Sequence, residues 1–245
     1  MRTKIPAFGM LVILLLSLCA CRQFPGVTQP ITKEIALQIA ELPAEAISDL
    51  PTAPVTMYKN ASEAYLCPLE DYSWERKYDP EFVMVHFTSA VVTNREDPYD
   101  PSALRALFVE NGVSTHYLIR RDGTVLCMVP ENRVAWHAGV GEWLEDEKYT
   151  NTMNEYAIGI ELAAIGSETD MEKYLPAGAY SQLDAAHLGF TDAQYESLAA
   201  LVTDLCERYR IPMDREHIIG HDAYSPEKHD PGELFDWNRL LTAES

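Results

Sequence analysis

Short apolar runs, separated by polar segments, predict strands in the part of the chain beyond residue 56. The runs at 81–90 and 157–166 are mostly apolar over their whole length, which is typical of strands covered on both faces. A third run, 216–221, is shorter and has the same character. Each run contains a titratable side chain that is out of keeping with its neighbours. These side chains are His86, Glu161 and His221.

Two longer stretches have the spacing and the end signals of helices. Residues 100–112 predict a helix with Asp100 as its N-cap and Gly112 as its stop. Residues 190–212 predict a second, amphipathic helix, because apolar side chains recur on one helical face. Its capping box is Thr191 and Gln194, and its apolar face is Tyr195, Leu198, Val202, Leu205 and Tyr209.

The remaining regular stretch, 116–129, predicts a β-hairpin. It consists of two β-rich runs around Asp122-Gly123, a dipeptide that strongly favours a tight turn between strands. The predicted order is therefore strand, helix, hairpin, strand, helix, strand and loop. This order indicates an α/β fold with a mixed central β-sheet flanked by helices. Sites in such folds are commonly built at strand ends.

The N-terminus has the pattern of an export signal. Arg2 and Lys4 precede a short apolar stretch that is too short to span a bilayer comfortably. Residues 18–21, Leu-Cys-Ala-Cys, resemble a bacterial lipobox, which implies removal of residues 1–20 and acylation of Cys21. Ordinary signal cleavage near Cys21 is the alternative. We expect an exported protein that is lipid-anchored in the cell envelope, at the outer membrane if the cell has two membranes.

Residues 21–56 are rich in proline and poor in aromatic residues, which predicts a tether with at most a short helix at 33–42. The predicted catalytic domain then covers 57–245. The chain has a formal net charge of −19. An acidic surface repels a phosphate backbone, so nucleic acid is not an expected partner. The domain contains three cysteines whose pairing the sequence leaves open: Cys67, Cys127 and Cys206.

Three residues from separate segments have the chemistry of a zinc site. His86 and His221 lie in or after apolar runs, and Asp230 follows in front of Pro231-Gly232. Two imidazoles and a carboxylate fit a three-ligand zinc site whose fourth position stays open, which is the catalytic kind. Because distant ligands have no local signature, histidines with ordinary buried partners are the alternative.

Two further residues complete a hydrolytic set. A carboxylate inside the apolar run around Glu161 is costly to bury unless it is paired or used. Facing a site, it would have a raised pKa that suits a general base. Lys228 would be placed to stabilise negative charge on a carbonyl oxygen. The alternatives are a Glu161 that faces outward and a Lys228 that is an ordinary solvated surface lysine.

Five fragments occur in an order that is similar to one protein family. They are VHFTSA, STHYLIRRDGTV, AWHAGV, NEYAIGIEL and IIGHDAYSPEKHDPGELFDW. Together they resemble the zinc-dependent N-acetylmuramoyl-L-alanine amidases of the amidase-2 type, which share the peptidoglycan-recognition-protein fold. The resemblance covers about residues 80–240, and the signal sequence resembles that of the lipoprotein members.

The resemblance implies roles for individual residues. His86, His221 and Asp230 match the ligands of one zinc ion, while Glu161 and Lys228 match the catalytic glutamate and lysine. The implied substrate is peptidoglycan or a muropeptide, cut at the amide between N-acetylmuramic acid and L-alanine. A peptidoglycan-binding module of the same fold, or a different zinc hydrolase, is the alternative.

Other matches to the family carry weaker expectations. Trp136 and His137 lie in the family's Trp-His-Ala-Gly stretch, where we expect them to contact substrate in the groove without binding zinc. Asn154 precedes the strand of Glu161, and its open roles are substrate binding and loop structure. His116 is expected to be structural.

The chain also departs from the family pattern. In many members the third ligand lies ten residues after the second histidine, whereas here Asp230 lies nine residues after His221. His229 therefore competes with Asp230 as the third ligand, and the Asp-Pro-Gly register favours Asp230. Segments 140–153 and 166–189 look longer or different, and we expect them to rim the groove.

Overall fold

The computed structural model describes residues 56–62 and 69–241. The predicted signal peptide, Cys21, Cys67, the short helix at 33–42 and all of the tether but its last residue lie outside the described residues. The strands are β1 (Ser73–Glu75), β2 (Phe82–Thr88), β3 (Tyr117–Ile119), β4 (Val125–Cys127), β5 (Arg133–Ala135), β6 (Ala157–Ala163) and β7 (Ile218–Gly220). The α-helices are α1 (Leu69–Tyr72), α2 (Pro101–Asn111), α3 (Glu168–Met171), α4 (Asp192–Tyr209) and α5 (His221–Tyr224).

A five-stranded sheet with the order β4-β3-β6-β2-β7 forms the centre of the fold. The four strands β3, β6, β2 and β7 run parallel, and β4 is antiparallel at the edge. The predicted mixed α/β sheet is therefore confirmed. The central strands β2 and β6 are apolar throughout because both of their faces are covered, as parallel sheets require. A small second sheet pairs β1 with β5.

Helix α4 covers one face of the central sheet. Its predicted capping box is present, with Thr191 Oγ1 accepting from the Gln194 backbone amide and the Gln194 side chain returning to the Thr191 amide. Its apolar face packs on alternate residues of β2 and β6. The opposite sheet face, which carries His86 and Glu161, is left for the site.

The other predicted elements are also present. Asp100 caps α2 by accepting from the Ala103 amide, and Gly112 ends the helix with a positive φ. The predicted hairpin is β3–β4, with Asp122 and Gly123 in its turn. The last predicted strand is shorter than expected, because His221 already opens α5.

A buried carboxylate, which sequence reasoning missed, joins α4 to the β4–β5 connection. Glu131 accepts hydrogen bonds from the hydroxyls of Tyr117 and Tyr209 and from the guanidinium of Arg208, whose Nη2 lies 2.7 Å from Oε1. Burial raises the pKa of Glu131, but these hydrogen bonds outweigh burial and hold the pKa below its ordinary value. Among the residues that the structure describes, no helix is both long and apolar enough to cross a bilayer.

Candidate active site

Two histidines meet at the carboxyl ends of neighbouring parallel strands. Val85 of β2 pairs with Gly220 of β7, so His86 and His221 follow side by side. Their Nδ1 atoms lie 3.0 Å apart, and both imidazoles are buried. Asp230 Oδ2 lies 2.7 Å from Nδ1 of His86 and 3.0 Å from Nδ1 of His221. The sheet and one loop thus bring three donor atoms close together.

The loop from His221 to Asp230 closes on itself. The Asp222 amide donates to the Asp230 carbonyl at 2.9 Å, which turns the Asp230 side chain back toward His221. A Cβ on Gly220 would come within 2.1 Å of Asp222 Oδ1 and 2.7 Å of the Pro231 ring, so only glycine fits there. This closure shows how a spacing of nine residues still brings Asp230 to the histidines. His229 is exposed and is not part of the convergent group.

Hydrogen bonds on the far side of each imidazole determine which nitrogen carries the proton. Nε2 of His221 lies 2.9 Å from the Ala138 carbonyl oxygen and must donate to it, which leaves Nδ1 with a free lone pair. Nε2 of His86 lies 3.1 Å from Nδ1 of His137. When His86 donates there, its Nδ1 is likewise a bare acceptor. Three acceptor atoms then face one another at 2.7–3.0 Å.

Such an arrangement is repulsive unless a cation sits among the acceptors, so the donor set fits a metal ion. Burial, and secondly His221, lower the pKa of His86 to about 4, which keeps it neutral. Burial raises the pKa of Asp230; when His221 or His86 instead carries a proton on Nδ1, its hydrogen bond and charge outweigh burial and hold the pKa well below its ordinary value. Neutral imidazoles and an ionised carboxylate are the forms in which these side chains bind metals. The three residues could therefore hold a metal ion.

Glu161 lies directly beside the first of these histidines. It pairs with His86 in the β2–β6 register, so the two side chains project from the same face of the sheet. Glu161 is 9% exposed, and its Oε2 is buried with no hydrogen-bond partner among the described residues. Burial, and secondly the charge of Asp230, raise the pKa of Glu161 well above its ordinary value. A buried and unpartnered carboxyl group is typical of a proton-transfer residue.

Lys228 is exposed in the same loop. Its positive charge acts on two members of the site, because it opposes the raised pKa of Glu161 and contributes to the lowered pKa of His86. The structure therefore places the ammonium group within electrostatic range of the convergent donors. No hydrogen-bond partner holds its Nζ among the described residues, so the group can reach a ligand.

The remaining predicted residues lie behind the histidines. His137 is 8% exposed, and its ring is packed between His86 and His116. Asn154 Oδ1 accepts from the backbone amides of His137 and Ala138. Substrate contact stays a prediction for Trp136, His137 and Asn154.

Trp136 and His116 have surroundings of their own. Trp136 is partly buried against the rings of Tyr72 and Trp74, and its Nε1 is buried with no partner among the described residues. His116 is fully buried, and its Nδ1 accepts from the Gly159 amide at 3.0 Å. This contact agrees with the structural role expected for His116.

The two segments expected to rim the groove both contact the 221–230 loop. Side chains from 140–153 and from that loop line a cleft of about 600 Å³, with Trp143 and Tyr224 among its walls. In the other segment, Lys173 Nζ donates to the Glu227 carbonyl at 2.8 Å. Tyr174 is half exposed, and the charges of Asp230 and Glu161 add to the burial that raises its pKa.

Comparison with known proteins decides the family. The Amidase_2 family, N-acetylmuramoyl-L-alanine amidase, matches residues 76–233. The chain belongs to this amidase family. The matched range contains all three convergent residues, Glu161 and Lys228. The predicted family and the predicted enzyme class of an N-acetylmuramoyl-L-alanine amidase are thereby confirmed.

Individual amidases support the assignment. The chain is 40% identical over 129 residues to the 1,6-anhydro-N-acetylmuramyl-L-alanine amidase AmpD of Citrobacter freundii, a match that covers 52% of this chain and 55% of that protein. It is 28% identical over 190 residues to the N-acetylmuramoyl-L-alanine amidase AmiD of Escherichia coli, covering 74% and 61%. The chain thus spans about half to three fifths of these relatives.

A solved amidase structure has the same fold. A crystal structure of an AmpD selenomethionine derivative superimposes with a TM-score of 0.54 and 31% identity, covering 75% of this chain and 94% of that one. The predicted fold class of an amidase-2 domain is confirmed by this similarity.

Sequence reasoning could not find the parts of the site that are backbone or empty space. Ala138 contributes its backbone carbonyl, and the alanine side chain gives no sign of this role in the sequence. Gly159 has no side chain, yet a Cβ there would lie 2.5 Å from Cγ of His137. Only the position of Asn154, before the strand of Glu161, gave a hint of this support.

Proposed function

We propose that the chain is a zinc-dependent amidase that hydrolyses the bond between the lactyl group of N-acetylmuramic acid and the L-alanine of a stem peptide. The observation that carries the proposal is the convergence of His86, His221 and Asp230 beside a buried, unpartnered Glu161. The names of the AmpD and AmiD relatives support the muramoyl-alanine amide as the substrate class.

The proposed metal ligands are Nδ1 of His86, Nδ1 of His221 and a carboxylate oxygen of Asp230. A zinc ion bound there would supply Lewis acidity, polarising a carbonyl group and making a water molecule more acidic. Two nitrogen ligands and one oxygen ligand leave a coordination position open for this chemistry. The outer hydrogen bonds of the two imidazoles keep their lone pairs directed at the ion.

Glu161 is proposed to move the proton. Its buried carboxylate, ionised when a cation is near, accepts a proton from the attacking water. It then passes this proton to the alanine nitrogen as the carbon–nitrogen bond breaks. A carboxyl group with a raised pKa is suited to both steps, because it takes up a proton more readily than an ordinary carboxylate does.

Digestion of a defined muropeptide tests the proposal. The purified chain, loaded with zinc, should release free stem peptide and N-acetylmuramic acid, and a chelator should stop the release until zinc is restored. Mass spectrometry identifies the bond that is cut. Absence of product from the zinc-loaded chain would contradict the proposal, and cleavage at another bond would replace it with a different hydrolase.

Lys228 is proposed to stabilise the negative charge that develops on the scissile carbonyl oxygen. We expect Lys228→Ala to lower kcat by about 10²–10³, the effect of removing one oxyanion donor, without changing zinc content. Steady-state kinetics on the muropeptide, with metal analysis of the same samples, measure both quantities. Lys77→Ala, at an exposed lysine outside the predicted groove, is the matched control. A kcat near that of the unsubstituted chain would remove Lys228 from the mechanism.

The lipid anchor is also a proposal, supported by the lipobox-like residues before Cys21. We expect Cys21→Ser to abolish labelling of the chain by radioactive palmitate and to shift it from the membrane fraction to the soluble fraction. Replacing the preceding Cys19 by serine is the control, because this position is not the proposed acceptor. Labelling that persists in Cys21→Ser would contradict acylation at this residue.

A further inference from the structure

We propose that the His137-Ala138 dipeptide, held by Asn154, is a positioning unit that orients both imidazole ligands at once. The inference deepens the proposed function and rests on it, since the ligands are those of the proposed zinc site. It concerns residues expected from the sequence to contact substrate.

The first contact of the unit is with His86. Nδ1 of His137 lies 3.1 Å from Nε2 of His86, and the two rings are edge to face with centroids 5.2 Å apart. His86 can present a bare Nδ1 to a metal only if its proton is on Nε2. His137 must then accept that proton's hydrogen bond through its own unprotonated Nδ1. The His137 ring thereby fixes both the tautomer and the rotation of the His86 ring.

The second contact is with His221 and comes from the adjacent peptide. The Ala138 carbonyl accepts from Nε2 of His221 at 2.9 Å, which fixes the tautomer of this ligand as well. Asn154 Oδ1 accepts from the amides of both His137 and Ala138, at 2.9 Å and 2.8 Å. One amide side chain thus clamps the dipeptide that supports both imidazoles.

The strand below leaves space for this unit. The His137 ring lies over Gly159 of β6, where a Cβ would come 2.5–2.8 Å from three of its ring atoms. Gly159 is two residues from Glu161, so the ring occupies the same face of the sheet as the general base. A side chain at this position would push the His137 ring away from His86.

A purely structural role does not account for the hydrogen bonding of His137. When Nδ1 accepts from His86, the ring proton of His137 is on Nε2, which is buried and has no partner among the described residues. A buried donor without a partner destabilises a fold. The fold tolerates this unpartnered Nε2–H of His137 if His86, as a metal ligand, needs the acceptor at Nδ1.

Zinc affinity, measured by competition with a chromophoric chelator on the full chain in detergent, tests the role of His137. The side-chain oxygen of asparagine lies where Nδ1 of histidine lies, and that of glutamine lies closer to Nε2. We therefore expect His137→Asn to bind zinc nearly as tightly as the unsubstituted chain. His137→Gln and His137→Phe should bind about 10–100-fold more weakly, the usual effect of losing an outer partner of a ligand.

The ranking of the His137 variants by zinc affinity distinguishes a positioning role from a packing role. Glutamine fills more of the histidine volume than asparagine, so a packing role predicts tighter binding by His137→Gln. Equal zinc affinity of the asparagine and glutamine variants, or the reverse order, would overturn the proposal even if His137→Phe does not fold. The absorption spectrum of the cobalt-substituted chain provides a second readout and should change in His137→Gln but not in the control, His187→Asn.

Asn154 is tested in the same way. Asn154→Asp keeps an acceptor for both amides and should retain zinc affinity, whereas Asn154→Ala should lose about 10–100-fold. Unchanged zinc affinity in Asn154→Ala would contradict the proposed role of Asn154 in holding the His137-Ala138 dipeptide.

Failure of the positioning unit and failure of the proposed function give different results. If the unsubstituted chain binds zinc but releases no stem peptide, the function is wrong while the affinity series still decides the positioning unit. If the chain binds no zinc at all, both proposals are wrong.

Discussion

Glu161→Gln is expected to leave zinc content and fold unchanged while lowering kcat on a muropeptide by about 10²–10⁴, the usual contribution of a general base. Glutamine has nearly the same shape as glutamate but cannot accept a proton from water. The position beside His86 makes this loss specific to proton transfer, because Glu161 is not among the convergent donors. Steady-state kinetics and metal analysis on one preparation measure both effects.

The same substitution should stabilise the metal-free fold. Burial raises the pKa of Glu161 above its ordinary value of 4.5. The folded state therefore binds a proton more tightly than the unfolded state, and stability is lost as the pH rises through the folded pKa. Glutamine does not ionise, so Glu161→Gln removes this loss of stability at higher pH. We expect it to raise the free energy of unfolding by about 1–3 kcal/mol at pH 8, where the folded glutamate must either keep a proton or bury its charge, and to have little effect at pH 4, where both side chains are neutral.

Glu110→Gln, at an exposed position of α2, is the matched control and should change neither quantity. A near-native kcat in Glu161→Gln would show that Glu161 does not transfer the proton. A gain in stability that does not depend on pH would contradict the explanation from burial.

Asp230→Ala is expected to lose bound zinc and, with it, essentially all activity. The carboxylate is one of the three convergent donors among the described residues, so its removal should weaken zinc binding by more than the roughly 10–100-fold loss of an outer hydrogen-bond partner. It also removes the negative charge that faces His86 and His221 at 2.7 Å and 3.0 Å.

His229→Ala is the matched control in the adjacent position. Its side chain is exposed and lies outside the convergent group, so zinc content and activity should be retained. The opposite result, with zinc lost from His229→Ala and kept by Asp230→Ala, would reassign the third ligand. Metal analysis after dialysis against a weak chelator distinguishes the two cases.

The sequence predicted the elements of the fold well because their signals are local. The capping box of Thr191 and the Asp122-Gly123 turn each depend on residues that are neighbours in the chain, and both are present in the structure. The apolar runs of β2 and β6 were equally clear, because strands buried on both faces need apolar residues throughout.

The site was harder to predict because its contacts join distant residues. The convergent donors span 144 positions, so their chemistry alone left ordinary buried histidines as an alternative, and the family resemblance favoured the zinc site. The orientation of His137 could not be predicted, since it depends on the hydrogen bond of Asn154 to its backbone amide and on the space above Gly159.

The parallel arrangement of β2 and β7 has a consequence for the folding of this chain. His221 and Asp230 lie in one short loop and can approach each other early, but His86 is 135 positions from His221 and reaches it only when the two strands pair. Long-range parallel pairing is slow, because loop closure comes before the contacts that offset its entropy. An ion that needs all three donors binds only after this pairing is complete. The proposed zinc ion would then shift the equilibrium toward the native state by mass action, and it would stabilise only molecules in which β2 and β7 have already paired.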